Sequence, residues 1–492
     1  MNAAEQIRSA ITGRYPVTYL QTWEENRVIQ ILEAYATKMF GSAESVHTWD
    51  CVDGFSKNGM PEANDALQAL RTVIDSPGKA FFVLKDFSSF MNDPAVCRAL
   101  RDAYYELQNK DKFLFLVSPQ VVIPETLRKE ILLIEIGLPD EDELLRVVKK
   151  VQQSYPQLSL ENDLISQVAF ALRGLTLNEA SHILHRIFRS KKTEGASAMN
   201  EIFAEKEMIV KKSGYLEFVP PKYDLDSIGG LDNFKDWLVR RQQLFSKKAL
   251  DDGMPVPRGI LLMGMSGCGK SLSAKTIATI WKVPLFRLDM SLVFSGMYGN
   301  PELAFHQALK TVEAVAPAVL WIDEIENSLG MDEGQTGGNA HVFSTFLTWM
   351  QEKPPMVFVA ATANRIQALP AEVIRKGRFD QVFFIDLPND EERKQIFQIH
   401  LQRNGADPAK FDLVFLSAVT KGWNGAEIEQ AIISARVDAY HEGRSLTIDD
   451  ITRNTSRTIP LSKTMEDQIK KIRSWAFTRA TPASKYATVP RV

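Results

Sequence analysis

Three short segments of this 492-residue chain carry the residue types that phosphate chemistry needs. The first is GMSGCGKS, residues 264–271, which has the form G-x-x-x-x-G-K-S; an apolar run at 260–262 reads as a strand before it, and SLSAKTIATIW reads as a helix after it. Gly264, Gly267 and Gly269 permit a backbone whose successive N–H groups face one concavity, and the helix adds its positive dipole end. Lys270 is then placed to reach the β- and γ-phosphates of a nucleotide, Ser271 to ligate Mg²⁺, and Met265, Ser266, Cys268 and Leu272 to complete the cradle. The second segment, AVLWIDE, is a buried strand ending in Asp323-Glu324, 53 residues after Lys270. Asp323 there can hold Mg²⁺ through water, and Glu324 can activate a water for attack on the γ-phosphate, so the pair implies ATP hydrolysis beyond binding. In the third, a strand at 356–361 runs into Thr362-Ala-Asn364, whose amide can bond both the attacking water and a γ-phosphate oxygen. Arg375 and Arg378 follow, and a guanidinium supplied from outside the cleft stabilises the charge of the transition state.

Such residues need a scaffold of alternating strands and helices, and the chain supplies one. Short apolar runs alternate with longer amphipathic stretches from end to end, the pattern of βα units in mostly parallel α/β sheets. Ser, Gly and Pro interrupt the periodic segments at 191–200 and 219–222. These breaks place a first domain at residues 1–190, a connector with one short helix (201–212) at 191–223 and a second unit from 224 onward. A basic helical tail with a frayed end follows at 461–492. Lys+Arg 58 against Asp+Glu 61 gives a net charge of −3, which disfavours a DNA-loading role. Three scattered cysteines fit neither a disulfide framework nor a metal knuckle, and no run is long enough to cross a membrane. A cytoplasmic setting is the expectation.

The two halves echo each other. IPETLRKE, LIEIGLPDEDEL and RGLTLNEASHIL in the first are matched in order by LPAEVIRKGRF, VFFIDLPNDEER and KGWNGAEIEQAI in the second. The step from Pro139 to Gly174 is 35 residues and that from Pro388 to Gly422 is 34, which suggests a duplicated fold. The first copy lacks the chemistry. Its strand at 17–20 leads into QTWEENRVIQIL, without glycine or Gly-Lys-Ser, and its strand at 81–84 leads into Lys85-Asp86-Phe87, with phenylalanine where Glu324 stands in the second copy.

Residues 224–460 resemble the AAA clade of AAA+ ATPases: GMSGCGKS, LWIDE, ATANRIQALPAEVIRKGRFD and GWNGAEIEQA recur in that family's order. The resemblance implies a P-loop NTPase core with a parallel sheet at 224–390 and a helical lid at 391–460, preceded by a degenerate AAA-like α/β domain. It implies that Asn364 is sensor 1, that Arg375 and Arg378 are arginine fingers acting on a neighbouring copy, that Ile228-Gly229 lies beside the adenine, and that Gly425-Ala426 is the lid contact. More narrowly, SGYLEFVPP, the ATAN form of sensor 1 and the tail IRSWAFTRATPAS resemble an AAA family encoded in algal plastid genomes and found in cyanobacteria. The motifs and the likeness to the AAA clade together imply an ATP- and Mg²⁺-dependent machine, commonly a hexameric ring in that clade, remodelling a protein partner in the cytoplasm or the plastid stroma. A slow ATP-dependent regulatory switch is the alternative.

Two departures bear on this. ATANRI replaces the commoner ATNRP, so the strand before Asn364 is expected to run one residue longer, and the pore-loop position reads Gly296-Met-Tyr-Gly299 without the usual aromatic ahead of a small residue. The Gly-rich stretch at 330–340 reads as a mobile loop. His182 and His185 lack the carboxylate or cysteine partners of a metal site, and Cys268 reads as a bystander thiol.

Overall fold

The structure is a computed structural model that describes residues 2–55, 63–158, 160–192, 194–295, 300–328, 338–365, 369–375 and 377–485. The pore-loop position at 296–299 and most of the Gly-rich stretch at 330–340 lie outside the described residues. The chain divides into two compact units, one of Met1–Gln157 with Leu175–Arg186, the other of Leu158–Gly174 with Ile187–Val492.

In the first unit the strands are β1 (Val17–Gln21), β2 (Val46–Asp50), β3 (Gly54–Phe55), β4 (Ala80–Lys85), β5 (Lys112–Ser118) and β6 (Leu132–Glu135), in the spatial order β3-β2-β4-β5-β1-β6. All pairings are parallel except that of the short β3 on β2. The reason lies in the residues. β4 and β5 are nearly unbroken apolar runs because helices cover both faces: Phe82, Leu84, Leu114 and Leu116 enter one core, and Phe81, Val83, Phe113 and Phe115 the other.

The second unit adds β7 (Leu216–Val219), β8 (Gly259–Gly264), β9 (Leu285–Leu288), β10 (Ala318–Ile322), β11 (Val357–Ala363), β12 (Gln381–Ile385) and β13 (Thr481–Pro482), ordered β13-β12-β8-β11-β10-β9-β7. Its parallel centre, β12-β8-β11-β10-β9, repeats the β6-β1-β5-β4-β2 order of the first unit. The helices that follow β6 and β12 also open alike, with capping boxes Asp140/Glu143 and Asn389/Glu392. The duplicated α/β fold expected from the sequence echo is therefore present.

Several local readings are corrected. The strand before Asn364 runs to Ala363, longer as the ATANRI departure suggested but by two residues past Ala361 and not one. The connector helix spans Gly195–Ser213, and SGYLEFVPP forms β7, antiparallel to β9. The tail holds a helix, Glu466–Arg479, and its described continuation joins the sheet: β13 pairs with the edge of β12, Ala483 is buried, and the Ser484 hydroxyl donates to Glu392 Oε1 at 2.5 Å, while the expected frayed end at 486–492 lies outside the described residues. In the first unit, Asp86 rather than Phe87 takes the left-handed turn after β4 (φ 50°), as Glu324 does after β10 (φ 47°). Phe87 instead packs fully buried in the core.

Candidate functional site

The carboxyl ends of β8, β10 and β11 are neighbours, so a topology set by buried apolar strands brings three distant segments to one edge. Residues 265–269 join β8 to the helix Lys270–Trp281. Gly264 has φ 148°, and a Cβ there would lie 2.0 Å from the Ile385 carbonyl oxygen of β12, so no other residue fits. Gly267 (φ 77°) passes under the lid: a Cβ would lie 2.8 Å from the Asn424 carboxamide, while Ala426 N–H donates to Gly267 O at 3.0 Å.

Lys270 is buried and donates to the carbonyls of Gly264 (3.0 Å) and Met265 (2.6 Å), which curls its ammonium into the loop. Burial pulls its pKa below the ordinary lysine value, against the opposing pull of Asp323, Glu324 and Glu326. Cys268 is pushed up to about 12 by burial, so its thiol stays protonated, in keeping with a bystander.

The carboxylates form one network. Ser271 Oγ donates to Asp323 Oδ1 at 3.1 Å, and Thr362 Oγ1 donates to the same oxygen at 2.6 Å while accepting the Glu324 N–H at 2.9 Å. The two oxygens of Glu324 accept from Asn364 Nδ2 (2.6 Å) and Asn327 Nδ2 (2.7 Å). Asn364 Oδ1 is buried and has no hydrogen-bond partner among the described residues. Behind it, fully buried Glu326 accepts the N–H groups of Asn364 and Arg365 at 2.8 and 2.9 Å and pins the end of β11.

Of this network, Ser271, Asp323, Glu324, Thr362 and Asn364 line a cavity of about 390 Å³. Of those expected at a nucleotide site, Ile228, Gly229, Ser266, Gly267, Cys268, Gly269, Lys270, Ser271, Leu272, Asp323, Glu324, Asn364 and Ala426 border it. Gly264 and Met265 shape the loop without lining the cavity, and Arg375 and Arg378 do not line it either. Arg375 is exposed, and Arg378 donates to the Glu372 carbonyl while its buried Nε has no partner among the described residues. Sequence reasoning missed Thr362, Glu326 and Asn327, and on the lid side Tyr223, Ile396, His400 and Arg403. The helix Asp390–Arg403 puts Ile396, Ile399, His400 and Arg403 on one face at spacings of three and four. Burial lowers the pKa of His400, and Glu429, 3.4 Å from its Nδ1, opposes the shift.

The residues fit a magnesium nucleotide. Ser271 Oγ and the Asp323 carboxylate stand together at the cavity as hard oxygens of the kind Mg²⁺ takes, and among the described residues no group of three or more His, Cys, Asp or Glu side chains could hold a metal ion. His185 hydrogen-bonds Tyr155 at 3.0 Å. No helix among the described residues is long and apolar enough to cross a membrane.

Comparison with known proteins agrees with this geometry. Residues 260–387 match the "ATPase family associated with various cellular activities (AAA)", residues 3–136 the "SpoVK-like AAA ATPase, N-terminal domain" and residues 142–213 its "second domain". The AAA domain-containing protein ycf46 of Trieres chinensis is 36% identical over 484 residues, 97% of each chain. That of Pyropia yezoensis is 36% identical over 97% of this chain and 98% of its own. A proteasome-activating nucleotidase of Sulfurisphaera tokodaii is 29% identical over 51% of this chain and 66% of its own length.

Proposed function

Because the chain belongs to the AAA ATPases, with ycf46 proteins among its full-length relatives, we propose that it hydrolyses ATP with Mg²⁺ at a seam between copies of itself and uses the cycle to remodel a protein partner. One observation carries the seam: the cavity gathers the cradle, the metal-side carboxylate and the water-side carboxylate, while Arg375 and Arg378 stay outside it. A guanidinium is needed where charge builds up on the γ-phosphate, and a neighbour's Arg378 is the group that can bring it.

Within one copy the division of labour follows from the hydrogen bonds. Lys270 exchanges its loop carbonyls for phosphate oxygens, a gain for an ammonium held in a dry site. Ser271 and Asp323 would hold Mg²⁺, which would supply charge neutralisation at the phosphates. Glu324 is the base: Asn364 and Asn327 fix its carboxylate, and Thr362 locks its backbone to Asp323. Asn364 Oδ1 accepts one proton of the attacking water and so aims the other at Glu324. Movement of the lid follows from Gly267, which bonds Ala426 and abuts Asn424, so any shift of the loop on phosphate binding reaches the lid helix Gly425–His441.

A head-to-tail contact that closes gives a ring, and a hexamer is the proposed form. A protein substrate in the cytoplasm or plastid stroma is the proposed target, in line with the proteasome-activating relatives. The test mixes two inactive variants. Lys270→Ala lacks a cradle but keeps its arginines, and Arg378→Ala keeps a cradle but lacks the finger. Phosphate release should return when they are combined and should fall on dilution of the wild type; a mixture as silent as its parts, or turnover unaffected by dilution, removes the seam.

A further inference from the structure

The first unit keeps the strand order of the second, so the turn leaving β1 stands where the phosphate loop stands after β8. It is shortened, with residues 22–24 between β1 and the helix Glu25–Phe40 against residues 265–269 in the second unit. It is also plugged. Where Ala426 N–H donates to the Gly267 carbonyl in the second unit, Leu177 N–H donates to the side chain of Glu24, at 2.6 Å from Oε1. Arg27, 5% exposed, donates Nη1 to Glu24 Oε2 (2.9 Å) and to Gly137 O (2.6 Å), and Nε and Nη2 to the two oxygens of Glu143 (3.2 and 2.7 Å). Glu24 is thus a built-in anion at the former phosphate position, and a polyphosphate brought there would meet a buried carboxylate of like charge.

The cavity beside the plug survives. It measures about 410 Å³, the size of a small organic ligand, and lies between the helices Glu25–Phe40 and Glu141–Gln153. Ile31, Ala34 and Val147 give it an apolar wall, and Lys38, Arg146 and Lys150 stand around it. Those three cations form no ion pair among the described residues. Among the described residues the one carboxylate lining the cavity, Glu143, is already engaged by Arg27. Three uncompensated positive charges around an apolar wall are complementary to a compact anion with an apolar body.

We propose that this cavity binds a small phosphate monoester bearing an apolar or aryl group, and that the first unit is a ligand-binding module which the Glu24–Arg27 plug has closed to ATP. The test uses the full chain carrying Lys270→Ala, which removes the cradle of the second unit as a competitor. Calorimetric titration with 4-nitrophenyl phosphate should show binding that salt weakens, with none for the neutral 4-nitrobenzyl alcohol. Adding Arg146→Gln and Lys150→Gln, both exposed positions, should weaken binding by roughly tenfold or more, since two charge contacts are lost. Lys38→Gln should act in the same direction. Absence of millimolar binding, equal affinity after the double substitution, or displacement of the probe by ATP would each overturn the proposal.

Discussion

Glu324 holds a left-handed backbone (φ 47°), an uncommon conformation for a residue with a side chain, and three neighbours over-determine it: Thr362 on its N–H, Asn364 and Asn327 on its carboxylate. Backbone cost accepted at one residue and repaid by dedicated partners marks a group whose aim matters. Glu324→Gln should therefore leave ATP affinity close to wild type in a calorimetric titration while lowering phosphate release by about 10²–10⁴-fold, the range expected for loss of a general base. At this scale the sequence was most legible. Lys270, Ser271, Asp323, Glu324 and Asn364 announce themselves because phosphate chemistry needs those types next to local signals, a glycine loop or a strand end. Glu326 and Thr362 carry no such signal. One acts from a fully buried position through two backbone N–H groups and the other bridges Asp323 to a backbone amide, roles that exist only once β10 and β11 are paired.

The lid helix and the phosphate loop touch through Gly267, and this contact has no spare room. Gly267→Ala must both adopt φ 77° and displace Asn424, the N-cap of the lid helix, whose side chain accepts the Glu427 N–H. The expected outcome is a raised KM for ATP with the fold retained by circular dichroism; an unchanged KM would show that loop and lid are not coupled. A second element rests on one lysine. Lys206, on the helix Gly195–Ser213, is fully buried and donates to the Val315 carbonyl at 2.9 Å; burial, helped by the like charge of Arg173, pulls its pKa to about 7. In the unfolded chain the amine titrates near its ordinary value of 10.5, so between about pH 7 and that value the unfolded state binds more protons. Stability of this unit should rise with pH across that window, and Lys206→Met should flatten the rise in urea denaturation series at several pH values. Helices and buried strands were readable from periodicity, but such pinning contacts were not, because nothing near Lys206 in the sequence names Val315. The plug in the first unit was hidden for the same reason: Glu24 and Arg27 look like ordinary surface charges of a polar helix start until Leu177 and Glu143 are beside them.

For the molecule as a whole, two units with the same central strand order follow opposite chemical courses, one with an open cradle and one with its own carboxylate in that place. The sequence echo revealed the common architecture because caps and turns recur at matched spacing, whereas the tail gave no warning of β13, since two residues, one of them proline, make no strand signal. Yet β13 has reach. It covers the outer edge of β12, its flank bonds Asn233 and Phe234 through the carbonyls of Pro482, Ala483 and Ser484, and Ser484 meets Glu392, which caps the helix carrying Ile396 and His400 to the cavity. Deleting the chain from Ala480 onward should weaken nucleotide binding measurably and increase light scattering on storage, because the unpaired N–H and C=O groups of β12 would be open to another chain. Extensions fused at that end are attached to a seam stitched into the catalytic sheet, so an affinity handle for purification belongs at the opposite terminus.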